Sequence, residues 1–365
     1  MSQLIREIVM IMGIPCAGKS SSVKEYVAKG YTNLNRDEIG GSLESLNSAL
    51  VFQIAGGVNK FVLDNTYVDK ASRAAVLEIA KKYGFSVHGI WIDISKDDAL
   101  HNSAIRILSA FDSKLSSPKF PVTDVLGPKN IYKINGYVPA GAIFAKIKAT
   151  EKPDKSEGFT TLEVKKFVRK PFDFKNKAAI FDYDGTLRET ISGAKFPVSP
   201  SDIRILPGRK EKLKQLKDEG YILLGVSNQS GVAKGDLTAE MANACFDKTN
   251  ELLGFNIEYA YCPHGSFPIA CYCRKPCSGL GAYFTLKHKL DVSKCFFVGD
   301  FTTDKSFAAR SGFKYYDQAD FFKWGIMIDK KINKELKETK VEMPYKDGEN
   351  KQKRIVSDSD VKGFK

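Results

Sequence analysis

Phe181-Asp182-Tyr183-Asp184-Gly185-Thr186 lies almost midway along the chain, directly after the apolar run Ala178-Ala179-Ile180. A short apolar strand that ends in two carboxylates one residue apart, then turns on glycine, presents both acids at its C-terminal edge. Open α/β sheets place their chemistry at that edge. Asp182 is read as a nucleophile that takes a phosphoryl group as an aspartyl-phosphate. Asp184 is read as the acid that protonates the leaving oxygen and then activates water. Both acids call for a metal to make their anions compatible. The alternative is an ordinary Asp-Gly turn after a strand, and the pieces downstream argue against it.

Pro207-Gly208 precedes a helical pattern over Lys210–Glu219 with Leu213 and Leu216 at core spacing. Residues 221–226 read as a strand ending at Ser227-Asn228-Gln229. The Ser227 hydroxyl, with an asparagine beside it, suits hydrogen bonding to phosphate oxygens in the transition state. Residues 295–299 form another strand, followed by Asp300 and Asp304. Two acids four apart at a strand end suit Mg²⁺, with Asp182 and the Asp184 backbone carbonyl completing the set. Between these strands lie Cys262, His264, Cys271 and Cys273, two short pairs that suit a closed tetrahedral structural Zn²⁺. Cys277 could replace one ligand, and Cys16, Cys245 and Cys295 read as ordinary core or loop thiols. Lys275, held beside this clip, is placed to neutralise Asp182 and an incoming phosphate.

Upstream, the strand pattern Glu7–Met12 runs into Gly13-Ile-Pro-Cys-Ala-Gly-Lys19-Ser20, a complete G-x-x-x-x-G-K-S followed by a helical stretch. Backbone N–H groups from Gly13, Cys16, Ala17, Gly18 and Ser21 would cradle the ATP phosphates. Lys19 would neutralise them and Ser20 would hold Mg²⁺. Asp37 and Asp64 follow two further strand-like pieces, on either side of an amphipathic stretch at 42–57. Asp37 reads as the general base for a hydroxyl acceptor, and Asp64 as a Walker-B-type acid. The alternative for Asp37 is a cap on a helix beginning at Glu38.

The fold class is therefore α/β: two Rossmann-like three-layer domains with mainly parallel sheets. In 365 residues, 56 basic against 43 acidic side chains give a net charge of +13, a surplus that favours a polyanionic partner such as nucleic acid. No apolar run of membrane-spanning length and no signal-peptide pattern occurs, so a membrane role is excluded and an intracellular location expected, cytoplasmic, or nuclear in a eukaryote. Seven cysteines, three of them beside a histidine, argue for a metal clip over a disulfide framework.

Gly13–Ser20, Asn35-Arg36-Asp37, Asp64-Asn65-Thr66, Ala71-Ser72-Arg73 and His101-Asn102, in that order, resemble the kinase module of the polynucleotide kinase-phosphatases. In that family the aspartate after Asn-Arg activates a 5′-hydroxyl, a role that falls to Asp37, and a lid arginine clamps the transferring phosphate, a role that falls to Arg106. The Asp182–Thr186, Ser227, Lys275 and Asp300/Asp304 pieces resemble the haloacid dehalogenase phosphatases. The zinc clip followed by Arg274-Lys275-Pro276 looks like the histidinol-phosphate and heptose-bisphosphate branch. The closing Asp320-Phe321-Phe322-Lys323-Trp324 looks like the polynucleotide 3′-phosphatase branch. The resemblance implies a P-loop 5′-hydroxyl kinase domain at 1–170, a connector at 171–176, a haloacid dehalogenase-like phosphatase domain at 177–326 and a basic tail at 327–365. It implies ATP, Mg²⁺ and structural Zn²⁺ as cofactors, DNA or RNA ends as partners, and a ligase as the downstream consumer. A metabolic reading stays open beside it: a small-molecule kinase fused to a sugar- or histidinol-phosphate-type phosphatase, which the clip favours.

Overall fold

The computed structural model describes residues 5–266 and 270–323, without the side chain of Asp37. The expectations for that side chain and for the basic tail lie outside the described residues. The strands, in chain order, are β1 (Glu7–Met12), β2 (Thr32–Asn35), β3 (Lys60–Asp64), β4 (Ser86–Asp93), β5 (Thr161–Lys166), β6 (Ala178–Phe181), β7 (Arg188–Thr190), β8 (Ile203–Ile205), β9 (Ile222–Asn228), β10 (Glu258–Cys262), β11 (Phe296–Gly299) and β12 (Lys314–Asp317). They form two five-stranded parallel sheets, ordered β2-β3-β1-β4-β5 and β10-β9-β6-β11-β12, and an antiparallel β7-β8 pair.

This order fixes where chemistry can occur. In the first sheet β1 lies between β3 and β4, and in the second β6 lies between β9 and β11, so the chain leaves both central strands at a topological switch point. The P-loop follows β1 and Asp182 follows β6. Each central strand is a run of apolar residues because helices cover both of its faces; every residue of β6 is buried. At one edge of the first sheet, β5 reads Thr-Leu-Glu-Val-Lys-Lys and stays largely exposed, with charge that discourages further strand pairing.

The helices begin where side-chain oxygens can satisfy free N–H groups. Ser42 caps Leu43–Ala55, Asp69 caps Lys70–Tyr83, and Ser95 caps Lys96–Ser109 with Asp97 and Asp98 in its first turn. Most sequence boundaries hold to within two residues: the helix after Gly208 is Arg209–Asp218, and the strand toward Ser227 extends to Asn228. One alternative fails. The helix near Asp37 is Arg36–Ile39, so Asp37 sits inside its first turn and is not the cap of a helix starting at Glu38.

The two sheets are tightly joined, which the sequence did not announce. Residues 107–150 bury Leu115, Val125, Leu126, Ala140 and Ile143 in a core continuous with residues of the second sheet. Arg169 donates to Asp98 at 2.7 Å and to the Arg310 carbonyl at 2.8 Å, and Arg310 pairs with Asp97 at 3.0 Å. Away from this seam, Arg73 is fully buried and holds Glu157 through two nitrogens at 2.7 and 2.8 Å. That pair ties helix Lys70–Tyr83 to the segment leading into β5.

His101 carries a testable consequence of the seam. It is 6% exposed, with Nδ1 2.9 Å from Ser278 Oγ. Burial, reinforced by the nearby Arg169 guanidinium and opposed by Asp98, pulls its pKa down to about 3. The unfolded chain then binds a proton that the folded chain refuses. Stability from this group is complete above the unfolded pKa of about 6.5 and falls as pH drops toward 3, by up to about 1.4 kcal/mol per pH unit. His101→Gln should flatten the decline between pH 6.5 and 4 in urea denaturation. A slope equal to that of the wild type would refute the assignment.

Candidate active sites

Lys275, although 3% exposed, is held between two carboxylates, with Nζ 2.9 Å from Asp182 Oδ1 and 2.8 Å from Asp304 Oδ1, and it also donates to the Val226 carbonyl at 3.0 Å. Burial alone would discharge the amine, but Asp182 and Asp304 hold its pKa above the ordinary lysine value. Burial pushes the Asp182 carboxyl up to about 7; Lys275 opposes the rise, while Asp304 and Asp184 add to it. Asn228 clamps the Lys275 backbone, accepting from its N–H at 2.9 Å and donating to its carbonyl at 3.0 Å. The sequence reading noted Asn228 only as the neighbour of Ser227; its amide positions the lysine.

Asp184 sits in a different environment. Arg188 Nε donates to its Oδ1 at 2.8 Å, and Gln229 Nε2 donates to its Oδ2 at 3.0 Å and to Ser227 Oγ at 3.0 Å. Arg188 is buried, reaching the Cys245 carbonyl and Thr249 Oγ1 at 2.7 and 2.9 Å, with the rings of Tyr183 and Phe246 close by. Sequence reasoning missed both Arg188 and Gln229. Arg188 stands four residues after Asp184, and Gln229 on the strand end already suspected, but nothing local says that their side chains meet at one carboxylate. Gly185 is required here: its φ is 79°, and an added Cβ would lie 2.3 Å from Asp300 Oδ2.

Carboxylate oxygens of Asp182, Asp300 and Asp304 lie within 4.8 Å of one another. With Asp184, four carboxylates face two buried cations, Lys275 and Arg188. That leaves a deficit of two positive charges, which Mg²⁺ with its preference for oxygen ligands would make good. The Asp184 side chain is engaged elsewhere and does not join this cluster.

Cys262, His264, Cys271 and Cys273 converge as the spacing implied. Their donors are separated by 3.6 Å (Cys262 to His264 Nδ1), 3.7 Å (Cys262 to Cys271), 3.2 Å (His264 to Cys273) and 3.4 Å (Cys271 to Cys273). A zinc tetrahedron with Zn–S near 2.3 Å has edges of about 3.7 Å, so the set fits Zn²⁺. Cys277 stands outside the group. Tyr272, between two of these ligands, reaches into the first half of the chain. Its N–H donates to the Leu126 carbonyl at 2.9 Å, its hydroxyl accepts from Ser103 Oγ at 2.8 Å, and the same hydroxyl donates to the Val138 carbonyl.

At the other switch point, the loop from Gly13 to Ser20 wraps around its own lysine: Lys19 Nζ donates to the Gly13 and Ile14 carbonyls at 3.1 and 3.2 Å. Cys16 at φ 65° and Gly18 at φ 89° give the loop its curl, and Gly18 hands over to helix Lys19–Val27. Asn102 donates to the Cys16 carbonyl at 2.9 Å, a support from helix Lys96–Ser109 that motif reading did not assign. Asp64 ends β3 alongside β1 and accepts from Asn35 at 3.2 Å. Arg106 lies one turn beyond Asn102, donating to the Gly136 carbonyl at 3.4 Å. The backbone of Asp37 follows β2.

Two mainly parallel α/β sheets thus share one chain: one that carries the P-loop motif Gly13–Ser20 after its central strand, then a haloacid dehalogenase-type phosphatase. Residues 177–328 match the family model described as polynucleotide kinase 3 phosphatase. The chain is 30% identical over 152 residues to the D-glycero-beta-D-manno-heptose-1,7-bisphosphate 7-phosphatase of Haemophilus ducreyi, a match spanning 38% of this chain and 80% of that protein. It is 32% identical over 128 residues to a probable D-glycero-D-manno-heptose-1,7-bisphosphate 7-phosphatase of Thermoplasma volcanium, spanning 34% of this chain and 85% of that one. A solved D,D-heptose 1,7-bisphosphate phosphatase from B. bronchiseptica, complexed with magnesium and phosphate, is 23% identical and covers 44% of this chain and 99% of that chain, with a TM-score of 0.36. Through its C-terminal part the chain belongs to the haloacid dehalogenase-type phosphatase family that includes these relatives. Among the described residues no helix is long and apolar enough to cross a membrane.

Proposed function

We propose that this protein is a bifunctional nucleic-acid end-processing enzyme, phosphorylating 5′-hydroxyl ends from ATP and removing 3′-phosphates. The observation that carries the reading is the joining of a P-loop sheet to a phosphatase whose residues match the polynucleotide kinase 3 phosphatase model. The net charge of +13 supports a polyanionic substrate.

In the phosphatase half, Asp182 attacks phosphorus. The Asp182 O–P bond forms as the bond from phosphorus to the 3′-oxygen breaks, and Asp184 gives its proton to that leaving oxygen. Water, deprotonated by Asp184, then attacks phosphorus and frees Asp182 with release of inorganic phosphate. Lys275 holds Asp182 in place, and we assign to Ser227 the hydrogen bond to the phosphate oxygens. Asp182, Asp300 and Asp304 would hold Mg²⁺, which supplies positive charge against the phosphoryl oxygens. In the other half, Asp37 takes the proton of the 5′-hydroxyl as its oxygen bonds to the γ-phosphorus and ADP departs, with Lys19 and Arg106 offsetting charge on the transferring group. The products, 5′-phosphate and 3′-hydroxyl, are the pair a ligase consumes. We assign the first role to residues 1–170 and the second to 177–326.

The relatives and the zinc clip favour a second reading, in which the phosphatase acts on a heptose bisphosphate or similar small ester. Supplying an oligonucleotide with 5′-hydroxyl and 3′-phosphate ends, and heptose 1,7-bisphosphate separately, decides between them. The polynucleotide reading expects ATP-dependent 5′ labelling that falls on the order of 10³-fold or more in Lys19→Ala, and 3′-phosphate release faster than heptose bisphosphate turnover. No labelling at high enzyme concentration, with efficient heptose bisphosphate hydrolysis, would overturn it.

A further inference from the structure

A cavity of about 430 Å³ lies between the two halves, within the roughly 300–1,000 Å³ range of small-molecule sites. One end is the P-loop itself, at Ala17, Gly18 and Ser21. Phe167 forms a side wall, its ring 3.9 Å from where a Cβ on Gly18 would stand, and its backbone is fixed by an N–H bond to the Asp93 carbonyl at 2.9 Å. The opposite wall belongs to the phosphatase half, from Val292 and the Ser311-Gly312 turn. Arg169 borders the cavity and bonds across the seam to both Asp98 and Arg310, so the two walls are held at a set separation.

We propose that this cavity receives the nucleoside of the phosphate donor and that the phosphatase half therefore builds part of the donor site. The inference rests on the P-loop reading above. A nucleotide whose terminal phosphates fill the loop must extend its α-phosphate and nucleoside past the first turn of helix Lys19–Val27, where Ser21 opens onto the cavity. A slot with the Phe167 ring on one side, the aliphatic Val292 side chain on the other and polar groups such as Ser21 and Asn102 in its lining suits a flat heteroaromatic base. Donor binding and the docking of the two halves are then linked, because any ligand that touches both walls favours the joined state.

The test is calorimetry on the full chain with Mg-ADP, which reaches both the loop and the cavity, and with Mg-tripolyphosphate, which reaches the loop alone. Wild type should bind ADP at least tenfold more tightly than tripolyphosphate. Val292→Trp, which fills the cavity from the phosphatase side, should weaken ADP at least tenfold, leave tripolyphosphate within twofold, and leave p-nitrophenyl phosphate hydrolysis within twofold. Should that variant fold poorly, Phe167→Ala gives the same contrast from the other wall. ADP binding unchanged in both variants overturns the inference, as does selective loss of 5′-hydroxyl oligonucleotide binding with ADP intact. If Lys19→Ala binds tripolyphosphate as well as wild type does, the P-loop reading itself fails, a result distinct from either of these.

Discussion

Asp182→Asn should lower kcat for phosphate release from a 3′-phosphorylated oligonucleotide by on the order of 10⁴-fold or more, while 5′ labelling from ATP stays within twofold. The substitution keeps the shape of the side chain and removes the nucleophilic oxygen. Of the neighbouring carboxylates, Asp304 is held by Lys275, and Asp184 by Arg188 and Gln229. Stability should move the other way. Burial and two like-charged neighbours raise the pKa of Asp182, so its ionised form strains the fold near neutral pH. Without added Mg²⁺ the variant should melt no lower than wild type, because Asp304 still neutralises Lys275. Mg²⁺ should stabilise wild type through the carboxylate cluster and raise the variant's melting temperature less. Residual turnover above about 1% of wild type would remove Asp182 from the nucleophile's role.

The contrast between Asp182 and Asp184 shows what can be read from sequence and what cannot. Their place at a strand end was legible because it depends on six consecutive residues, and the P-loop was legible for the same reason. The convergence of Cys262, His264, Cys271 and Cys273 was legible because ligand type and pair spacing restrict coordination. The Lys275–Asp182 pair was legible from the place of Lys275 beside the Cys/His clip, but its sharing with Asp304 was not. Nor was the environment of Asp184, which Arg188 and Gln229 reach through tertiary structure. The clamp that Asn228 places on the Lys275 backbone is likewise set by tertiary structure. The seam was hidden for a related reason. Its polar contacts come from residues such as His101, Ser103 and Tyr272, each of which looks ordinary within its own helix or loop.

Tyr272 gives the zinc clip a consequence beyond its own loop, and Cys273→Ser should expose it. Wild-type protein should carry about one zinc per chain by elemental analysis, and the variant much less. Structural zinc contributes on the order of 10–16 kcal/mol in small zinc modules. Losing one of four ligands should therefore destabilise this chain by several kcal/mol and lower its melting temperature by on the order of 10 °C. Phosphatase turnover should fall with it, because Lys275 is two residues beyond Cys273 and depends on that loop to meet Asp182 and Asp304. The loss should also reach the P-loop half. Tyr272 is fixed to Leu126, Ser103 and Val138, and Ser103 is the neighbour of Asn102, which holds the Cys16 carbonyl. Hydrogen exchange should thus quicken in helix Lys96–Ser109 as well as around residues 262–276. Cys277→Ser, outside the ligand set, serves as the control and should change none of these. A variant that keeps wild-type melting and exchange after losing its zinc would reduce the clip to a local staple with no part in joining the two halves.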